Sequence, residues 1–436
     1  MPVKMDIPPF VTKIIQGLQR AGHEAYIVGG APRDAYLRRP IMDWDITTSA
    51  SPEKIKTAFS GIRHFSLKHG TVTLVHNGQL YEVTCFRGSR GIGKNLKEDL
   101  GLRDFTINAM AYEPGSEKLL DPYGGRGDIA QGLVRAVGAP EDRFREDPLR
   151  LMRAIRIANQ LGFRIDPKTL DALISMANLL KTVATERVRD EIMKVLLCRK
   201  SSIGFNLMRR TGLLNVFLPE LMEGYLKRQN TYHRFTIFKH VMVTVDRVDA
   251  DPVLRLTALF HDIAKPRCRT KSDGRWRFLG HEEASAGLAE EIMERLKFGK
   301  ETRQEVTHLI FHHLIGYGSQ WTDGAVRRLI RKVGPENVGR LLAFRRADLL
   351  AHGMGNEKLH LLDELEERIE KVSAEFLVKK RGDLAIDGSQ VMAFLGLSPG
   401  PEVGKVLGEL MEAVADQPER NTEEGLLELL KAMKKA

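Results

Sequence analysis

The chain has 436 residues, 42% of them hydrophobic, and a net charge of +10. This length predicts roughly three domains with ordinary cores. The basic excess suits a polyanionic partner, although a basic protein without such a partner would carry the same charge. Three scattered cysteines cannot form a disulfide framework, which predicts a reducing, cytoplasmic compartment. The polar first residues and the lack of a long apolar run argue against a signal peptide and a membrane span.

The first predicted elements are a helix, a strand and a glycine turn. Residues 9–22 have the periodicity of an amphipathic helix, and Ala25–Val28 is typical of a short buried strand. The strand ends at Gly29-Gly30, where backbone amides can approach a phosphate closely. Arg33 follows and adds a charged fork suited to phosphate.

An acidic pair, Asp43 and Asp45, comes next. Alternate side chains of an extended segment share a face, so both carboxylates can point into one site. Adjacent carboxylates repel unless cations lie between them, and oxygen ligands suit Mg²⁺. A nucleoside triphosphate held by two metal ions is the natural occupant of such a site. The alternative is a glycine turn followed by a solvated acidic strand, because two aspartates at this spacing are common.

A further helix and a hairpin complete a small mixed sheet. Ser51-Pro52-Glu53 has N-cap and first-turn chemistry, so a helix is predicted to run to about Phe59. Residues 71–86 alternate on both sides of Asn77-Gly78, which predicts a hairpin with a type I′ turn. Glu82 in its second strand is a candidate third carboxylate for the acidic pair, or else an exposed strand residue.

After Arg103, helical periodicity dominates to the C-terminus. Residues 103–111 combine a charged pair, an aromatic anchor and an amide, Asn108, at a predicted helix start. Residues 121–125 form a turn cluster.

Residues 146–156 are predicted to open a helix, because Pro148 is tolerated only in a first turn. Asp147 and Arg150 are three residues apart and would share a face of it. Arg153 continues that face. The alternative for this segment is a surface ladder of salt bridges.

Histidine use shifts in the second half of the chain and predicts a domain of different chemistry. Eight of the 13 histidines lie between residues 233 and 352: His233, His240, His261, His281, His308, His312, His313 and His352. Residues 259–265 are predicted to form a buried helix that bears the adjacent pair His261-Asp262. Imidazole and carboxylate together suit a catalytic divalent metal with open positions, whereas isolated histidines are more often core residues.

The motifs of the first half resemble the class II tRNA nucleotidyltransferases and the related bacterial poly(A) polymerases, a superfamily of polymerase-β type. The resemblance runs in the same order over residues 20–220. It rests on Gly29-Gly30 with Arg33-Asp34, Asp43 and Asp45, residues 103–109, Asp121-Pro122, Glu146-Asp147 with Arg150, and Glu186-Arg187 with Glu191.

The resemblance implies a role for each motif. Asp43 and Asp45 would bind Mg²⁺ for attack by the RNA 3′ hydroxyl, and Glu82 matches the third acidic position. The implied nucleotide-binding residues are Gly29, Gly30, Arg33, Arg103, Asn108, Asp147, Arg150 and Arg153. CTP and ATP are the implied substrates, and tRNA is the implied partner.

Asp147 and Arg150 would read the incoming base. The aspartate accepts from an exocyclic amine and the arginine donates to the neighbouring acceptor, an edge that cytosine and adenine both offer. Uracil and guanine place a carbonyl against the aspartate and are repelled. Such a site selects C and A without a nucleic-acid template.

Two positions depart from the family pattern. Leu102 stands where family members usually carry a second arginine before Arg103. Residues 87–99 are short and glycine-rich, whereas full CCA-adding members have a longer loop there that is needed to switch from C to A. A short loop goes with enzymes that add only two cytidines.

The histidine-rich segment resembles the HD-domain metal-dependent phosphohydrolases over residues 230–352. The implied ligands of a divalent transition metal are His240, His261, Asp262, His281, His313 and Asp348. His313 fits its position better than His312. The implied activity is that of a phosphatase or a 2′,3′-cyclic phosphodiesterase that repairs RNA ends, and the alternative is a degenerate fold that serves only as an RNA scaffold.

The predicted fold class is therefore α+β, a polymerase-β-type head with a mixed sheet followed by a helical neck, an HD domain and a tail. Their predicted bounds are 1–137, 138–222, 223–376 and 377–436. The predicted function is addition of CMP, with or without the final AMP, to the tRNA 3′ end. One alternative is a poly(A) polymerase on general RNA, and another is an HD phosphohydrolase with an inactive RNA-binding head. Oligomeric state is not predicted.

Overall fold

The structure, a computed structural model, describes residues 5–67, 70–88, 91–93, 95–353, 359–373 and 381–435. The chain divides into two compact units, Met1–Pro219 and Glu220–Ala436. The first contains a mixed sheet and helices, and the described part of the second is helical apart from one hairpin. The predicted fold class is confirmed. The division into four domains stays a prediction, and its last boundary, 376/377, lies outside the described residues.

The sheet of the first unit has seven strands. They are β1 (Ala25–Val28), β2 (Asp45–Thr48), β3 (His64–Ser66), β4 (Thr71–His76), β5 (Gln79–Cys85), β8 (Ala111–Glu113) and β9 (Lys118–Leu120), and a separate short pair is β6 (Arg87–Gly88) with β7 (Gly91–Ile92). The order across the sheet is β3-β4-β5-β2-β1-β8-β9. β2 and β5 are parallel and the other neighbours are antiparallel, so the sheet is mixed as predicted.

Local sequence signals account for most of these elements. The turn of the β4–β5 hairpin has positive φ at both central residues, Asn77 at 49° and Gly78 at 76°, which confirms the type I′ turn. The Ser51 hydroxyl accepts from the Lys54 N–H and caps the next helix as predicted. The predicted strand Ala25–Val28 is confirmed as β1, and the predicted first helix spans Pro9–Arg20.

Three strands of the sheet were missed, β3, β8 and β9. β8 and β9 lie after Arg103, where helical periodicity was expected to dominate. Each has three residues, too few to produce an alternating pattern in the sequence. β8 exists because its backbone pairs with β1, Ile27 with Tyr112 and Val28 with Ala111. The strand therefore forms through a tertiary contact, which the sequence of the segment does not predict by itself.

Helices make up most of the rest of the first unit. They are α1 (Pro9–Arg20), α2 (Gly30–Tyr36), α3 (Pro52–Ala58), α4 (Leu96–Gly101), α5 (Gly125–Gln131), α6 (Pro140–Glu146), α7 (Arg150–Leu161), α8 (Pro167–Ser175), α9 (Thr185–Leu196), α10 (Ser201–Arg210), α11 (Leu213–Phe217) and, at the division, α12 (Pro219–Glu223). Short 3₁₀ helices cover Thr106–Asn108 and Ala177–Thr182. A parallel pair, β10 (Leu133–Val134) and β11 (Arg164–Ile165), interrupts the predicted all-helical neck.

The predicted helix over residues 146–156 is wrong at its start. α6 ends at Glu146, Asp147 is extended with φ −144° and ψ 98°, and α7 begins at Arg150. Pro148 causes this break, because proline disfavours a helical conformation in the residue before it. Asp147 and Arg150 therefore do not share a helix face.

The second unit consists of helices and one hairpin. Its helices are α13 (Ile237–Arg247), α14 (Pro252–Phe260), α15 (His281–Arg295), α16 (Lys300–Phe311), α17 (Asp323–Val333), α18 (Pro335–Ala351), α19 (Leu359–Ser373), α20 (Gly388–Leu395), α21 (Pro401–Asp416) and α22 (Glu423–Lys435), with 3₁₀ turns at Arg381–Asp383 and Pro418–Arg420. The hairpin consists of β12 (Thr270–Ser272) and β13 (Arg275–Arg277). α14 ends at Phe260, so His261 caps it and Asp262 lies in the following turn, not in a helix as predicted.

Candidate functional site

The glycine turn and the acidic pair meet at one end of the sheet of the first unit. β1 and β2 pair with Val28 opposite Asp45, so Asp45 lies beside the turn that begins at Gly29. Gly29 has φ 77° and ψ −131°, and a Cβ atom on it would lie 2.6 Å from Asp45 Oδ2. Only glycine fits this conformation and this spacing. The sequence predicted the turn but not the contact.

The three acidic residues cluster at this end of the sheet. β2 and β5 are parallel with Ile46 beside Val83, a register that places Asp45 beside Glu82. Burial and the negative charges of Asp45 and Asp43 raise the pKa of Glu82. Burial also raises the pKa of Asp45, against the opposing charge of Arg103, and Asp43 contributes in the same direction. Mutual repulsion of this kind is relieved when a cation binds among the carboxylates.

Arg103 is held next to the glycine turn by a buried carboxylate that sequence reasoning missed. Asp99 is fully buried and accepts from Arg103 Nη2 at 3.2 Å, Arg87 Nε at 2.9 Å and the Thr47 hydroxyl at 3.3 Å. Arg103 Nη1 would lie 3.5 Å from a Cβ on Gly29. Arg103 is therefore positioned between Asp99 and the turn.

A second buried carboxylate, Asp104, links the sheet to α7. It accepts from the Phe105 N–H at 2.8 Å and from Asn108 Nδ2 at 3.1 Å, and its Oδ2 forms an ion pair with Arg153 Nη2 at 2.8 Å. Burial raises the pKa of Asp104, but the charge of Arg153 and the hydrogen bonds lower it by more, so the carboxyl is held ionised. Asn108 Oδ1 in turn accepts from Arg33 Nη1 at 2.7 Å. Three predicted nucleotide-binding residues are thus linked through Asp104 by hydrogen bonds and one ion pair.

Asp147 and Arg150 are brought together by tertiary contacts and not by a common helix face. Both Asp147 oxygens accept from Arg187, at 2.9 and 3.2 Å. Arg150 donates to the Leu102 carbonyl at 2.8 Å, to the Arg143 carbonyl at 3.1 Å and to Glu146 at 2.9 Å. A planar guanidinium with several partners has a fixed orientation. Arg187 belongs to one of the motifs that match the family, but the sequence gave it no role. In the structure it holds the Asp147 carboxylate in place.

One cavity of about 1150 Å³ joins these groups. Its lining includes Asp45, Glu82, Arg103, Asp104, Asp147, Arg150, Arg153 and Arg187. Of the other predicted residues, Gly29, Gly30, Arg33 and Asn108 lie behind this lining, connected to it by the contacts above, and Asp43 precedes Asp45 on the exposed segment before β2. The cavity combines carboxylates at one side with arginines, which suits a polyphosphate and its counterions.

The histidine-rich set forms a separate buried cluster in the second unit. His240, His261 and Asp348 offer ligand atoms within 4.8 Å of one another, and so do Asp262, His281 and His313. All six predicted metal ligands are buried. His240 Nε2 lies 2.9 Å from Asp348 Oδ1, and Asp262 approaches His261 with Oδ2 at 3.3 Å and His281 with Oδ1 at 3.4 Å. His312, by contrast, lines a different cavity.

Backbone carbonyls fix the ring orientation of these histidines. Nδ1 lies 2.9 Å from the Ala258 carbonyl in His261, 2.6 Å from that of Phe278 in His281, and 2.6 Å from that of Ile310 in His313. A carbonyl can only accept, so Nδ1 carries the proton and the Nε2 lone pair faces the cluster. This is the tautomer that a metal ligand requires.

The electrostatics of the cluster also fit a cation. Burial lowers the pKa of His313 to about 3 and lowers that of His281, so both rings are neutral at physiological pH. Among the described residues, His281 Nε2 and Asp262 Oδ1 are buried polar atoms without a hydrogen-bond partner. A cation between them would satisfy both. Lys265, which sequence reasoning left without a role, donates to Asp262 Oδ2 at 2.9 Å.

Comparison with known proteins places the chain in a family. Residues 25–135 match the poly A polymerase head domain, residues 162–224 match a "Probable RNA and SrmB-binding site of polymerase A", and residues 276–430 match tRNA nucleotidyltransferase domain 2. A CCA-adding enzyme of Streptococcus thermophilus is 31% identical over 439 aligned positions, which cover 97% of this chain and 96% of that protein. The chain belongs to the CCA-adding enzyme family of tRNA nucleotidyltransferases.

Other relatives agree over the whole length. A CCA-adding enzyme of Lactobacillus delbrueckii subsp. bulgaricus is 32% identical over 96% of both chains. The crystal structure of the Bacillus stearothermophilus CCA-adding enzyme in complex with CTP is 29% identical, covers 98% of each chain and has a TM-score of 0.74. The resemblance inferred from the motifs of the first half is therefore confirmed. No described helix has the length and apolar character needed to span a bilayer.

The turn at Gly29 gives a sharp prediction. Gly29→Ala should reduce nucleotide addition by roughly a hundredfold or more, because the new Cβ would displace Asp45 and strain the backbone. Gly22→Ala is the matched control, since Gly22 also has a positive φ, 82°, but nothing lies within 4 Å of its Cβ position. The measurement is single-turnover CMP addition by both variants at saturating CTP. Equal losses in the two variants would show that the contact with Asp45 is irrelevant.

Proposed function

We propose that this CCA-adding enzyme homologue adds CMP to the 3′ end of tRNA without a template, with Asp43, Asp45 and Glu82 as its acidic catalytic set. The observation that carries this proposal is the register of β1, β2 and β5, which gathers the glycine turn, Asp45 and Glu82 at one end of the sheet. In the reaction the RNA 3′ oxygen bonds to the α-phosphorus of CTP, and the bond to the leaving pyrophosphate breaks.

The acidic set has the chemistry of a Mg²⁺ site. Its donors are carboxylate oxygens, and burial first and neighbouring carboxylates second raise the pKa of Asp45 and of Glu82. When bound, Mg²⁺ would supply stabilisation of the charge that develops on the phosphates. Asp43 and Asp45 are the proposed ligands. The protein keeps them close together by fixing Asp45 in β2 and letting Asp43 approach from the preceding segment.

The triphosphate and sugar would be held by Gly29, Gly30, Arg33, Arg103 and Asn108. Gly29-Gly30 opens α2 without side chains, so backbone N–H groups are accessible there. Arg103 and Arg33 carry their positive charge on either side of this turn, each oriented by a carboxylate or amide partner. Preoriented donors lose little entropy when an anion binds, which strengthens their contribution.

Asp147 and Arg150, with Arg153 beside them in the cavity lining, would read the base. Arg187 donates to both Asp147 oxygens, and the Leu149 N–H also donates to Oδ1, so Oδ2 is the oxygen that retains a lone pair for an exocyclic amine. Arg150 is held by the Leu102 and Arg143 carbonyls. A fixed acceptor beside a fixed donor favours cytosine and adenine over uracil and guanine.

We also propose that addition of the terminal A is inefficient. The described residues of segment 87–99 close on themselves, because the Gly93 N–H donates to the Phe86 carbonyl at 2.6 Å and Gly93 packs against the Arg87 carbonyl. Arg87 is tied to Asp99. A turn that is this short and is held by these contacts has little freedom to move and reposition the base-reading residues. Residues 89, 90 and 94 of the segment lie outside the described residues.

One experiment separates these functions. Truncated tRNA transcripts ending at the discriminator base, or in C or CC, are incubated with each nucleoside triphosphate alone and the products are sequenced. We expect two cytidines and slow addition of A. Rapid addition of a single A to the CC end would establish full CCA synthesis. Long A tails on unrelated RNA would favour the poly(A) polymerase alternative.

A second activity is favoured by the histidine cluster of the second unit. We propose that residues 223–376 form an HD-type phosphohydrolase that acts on phosphate esters of RNA ends. The fit of the cluster to a metal is the supporting observation, with three Nε2 lone pairs and the unpartnered Asp262 Oδ1 directed at one another. A bound divalent transition metal would supply Lewis acidity and an activated water. Water then adds to phosphorus, and the ester oxygen leaves as an alcohol.

The first prediction of this function concerns the acidic set. Asp45→Ala should lower the rate of CMP addition by about a thousandfold, or roughly 4 kcal/mol, because its carboxylate cannot be replaced by a neighbour. Asp171→Ala is the control, since it removes the same carboxylate from the exposed surface of α8, away from the residues that line the cavity. Rates are measured under single-turnover conditions. Near-normal addition by Asp45→Ala would remove the metal assignment.

The second prediction concerns base selection. Asp147→Ala should reduce the preference for CTP over UTP by about tenfold or more, since a charge-assisted hydrogen bond contributes about 1.5–3 kcal/mol. The KM for CTP should change less than the selectivity, because the phosphates are held elsewhere. The measurement is kcat/KM for all four nucleotides, with Asp142→Ala, on the exposed surface of α6, as the control. Unchanged exclusion of UTP and GTP would contradict the base-reading role.

The third prediction concerns the histidine cluster. His261→Ala should lose bound metal and hydrolysis of 2′,3′-cyclic AMP, because one missing ligand of six opens the site. CMP addition should persist, since its residues lie in the other unit. His312→Ala, a neighbour of the cluster outside it, is the control, and metal content is measured by elemental analysis. Wild-type protein with neither metal nor turnover would favour the scaffold alternative.

A further inference from the structure

A basic hairpin lines the same cavity as the histidine cluster. β12 and β13 are joined by the two-residue turn Asp273-Gly274, with φ values of 51° and 75°. Residues 269–277 contain four cationic side chains, Arg269, Lys271, Arg275 and Arg277, and one acidic side chain, Asp273. The other described elements of this unit are helical, so the hairpin is a distinct insertion directly before α15.

Most of this charge is not neutralised. Arg277 lies 3.4 Å from Asp273, but among the described residues Arg269, Lys271 and Arg275 have no carboxylate partner. Lys271, Arg275 and Arg277 are exposed. A concentration of unpaired cations costs self-repulsion unless an anionic partner neutralises them. The hairpin therefore suits an anion that is larger than a single phosphate and carries several negative charges.

The hairpin also presents an aromatic surface. Arg269 stacks on the ring of Trp276 with its guanidinium 3.4 Å from the ring centroid, which holds the indole in place. Trp276 lines the cavity together with Tyr232 and Leu279, which are 65% and 79% exposed. Aromatic faces next to cations are the combination that binds unpaired nucleobases and their phosphates.

The geometry connects this surface to the proposed chemistry. A cavity of about 410 Å³ is lined by Arg275, Trp276 and Arg277 and also by the cluster residues His261, Asp262, His281, His313 and Asp348. In the hairpin register Ser272 pairs with Arg275 and Thr270 with Arg277, so the two arginines and two hydroxyls share one face. That face offers several donors to phosphate oxygens in addition to the cluster itself.

We propose that the hairpin 270–277 binds the single-stranded 3′ end of an RNA and holds the nucleotides that precede the terminal phosphate in the histidine-rich cavity. This inference rests on the proposed phosphohydrolase activity and assigns to the hairpin the contacts that would favour an oligoribonucleotide terminus over a free mononucleotide. The net positive charge of the hairpin favours a polyanionic ligand, and Trp276 beside these cations favours one that carries nucleobases. A mononucleotide would use the cluster and leave the hairpin cations unpaired.

The test compares two substrates on the full chain. One is an oligoribonucleotide of about eight nucleotides ending in a 2′,3′-cyclic phosphate, and the other is 2′,3′-cyclic AMP. In the double variant Arg275→Glu and Arg277→Glu, which changes both cavity-lining arginines, the ratio of kcat/KM for the oligonucleotide to that for the mononucleotide should fall by about tenfold or more. The dependence of log KM on log salt should become shallower, by about 0.7 for each RNA phosphate that the variant no longer neutralises.

A matched control and a binding measurement complete the test. Lys300→Glu reverses one positive charge, as each substitution of the double variant does, at the exposed start of α16, beyond the opposite end of α15 from the hairpin, and should keep the ratio within about twofold. A 4-thiouridine near the 3′ end of the oligonucleotide should crosslink to peptides that contain residues 270–279. Crosslinking is read by mass spectrometry and does not depend on turnover.

The outcomes separate the two proposals. Crosslinking to the hairpin in protein that hydrolyses neither substrate would support the RNA-binding hairpin and overturn the phosphohydrolase. Hydrolysis of both substrates with an unchanged ratio in the double variant, and no crosslink to residues 270–279, would overturn the hairpin proposal alone. A ratio reduced equally by Lys300→Glu would show a general charge effect and would also overturn it.

Discussion

The first unit depends on two buried carboxylates that must be paired. Asp99 and Asp104 are removed from water, and a buried carboxylate left without its partner costs about 3–5 kcal/mol. The segment between α4 and β8 can therefore adopt only the conformation in which Arg103, Arg153 and Asn108 reach these groups. Because those partners include proposed substrate ligands, the constraint that folds the segment also orients the site before a nucleotide binds.

The same pairing connects elements that are distant in the chain. Asp104 pairs with Arg153, which joins the segment after α4 to α7. Asn108 of the same segment accepts a hydrogen bond from Arg33, which joins the segment to α2. Arg187 of α9 reaches back to Asp147. A mutation in this network would shift several proposed contacts together, so its effects on binding are expected to be non-additive.

The histidine cluster of the second unit offers different ligand atoms from those of the acidic set of the first unit. Backbone carbonyls orient the buried imidazoles of the cluster and direct their Nε2 atoms to Asp262 and Asp348, and burial lowers the pKa of His281 and His313 so that these two rings are neutral. The acidic set of the first unit has only oxygen donors. Hard oxygen ligands suit Mg²⁺ and mixed imidazole and carboxylate ligands suit transition metals, so the two proposed sites would favour different ions. One chain would then hold both ions without competition for a single metal.

The sequence by itself determined the local features and the family. Asn77-Gly78 tolerates positive φ and therefore predicted the hairpin turn, and Ser51 predicted the start of a helix. The order of the motifs identified the nucleotidyltransferase class. These signals depend on a few neighbouring residues or on their order, which is why they can be read without coordinates. The strand β8, in contrast, exists only through its pairing with β1.

Only the tertiary structure decided which side chains meet. Asp147 and Arg150 were expected on one helix face, but Pro148 separates them, and Arg187 and the Leu102 carbonyl hold them instead. Asp99 and Lys265 were assigned no role from the sequence, although Asp99 holds Arg103 in place and Lys265 holds Asp262 in place. The physical reason is that such partners are distant in sequence or chosen by burial, and the need to pair a buried charge arises only after the chain has folded.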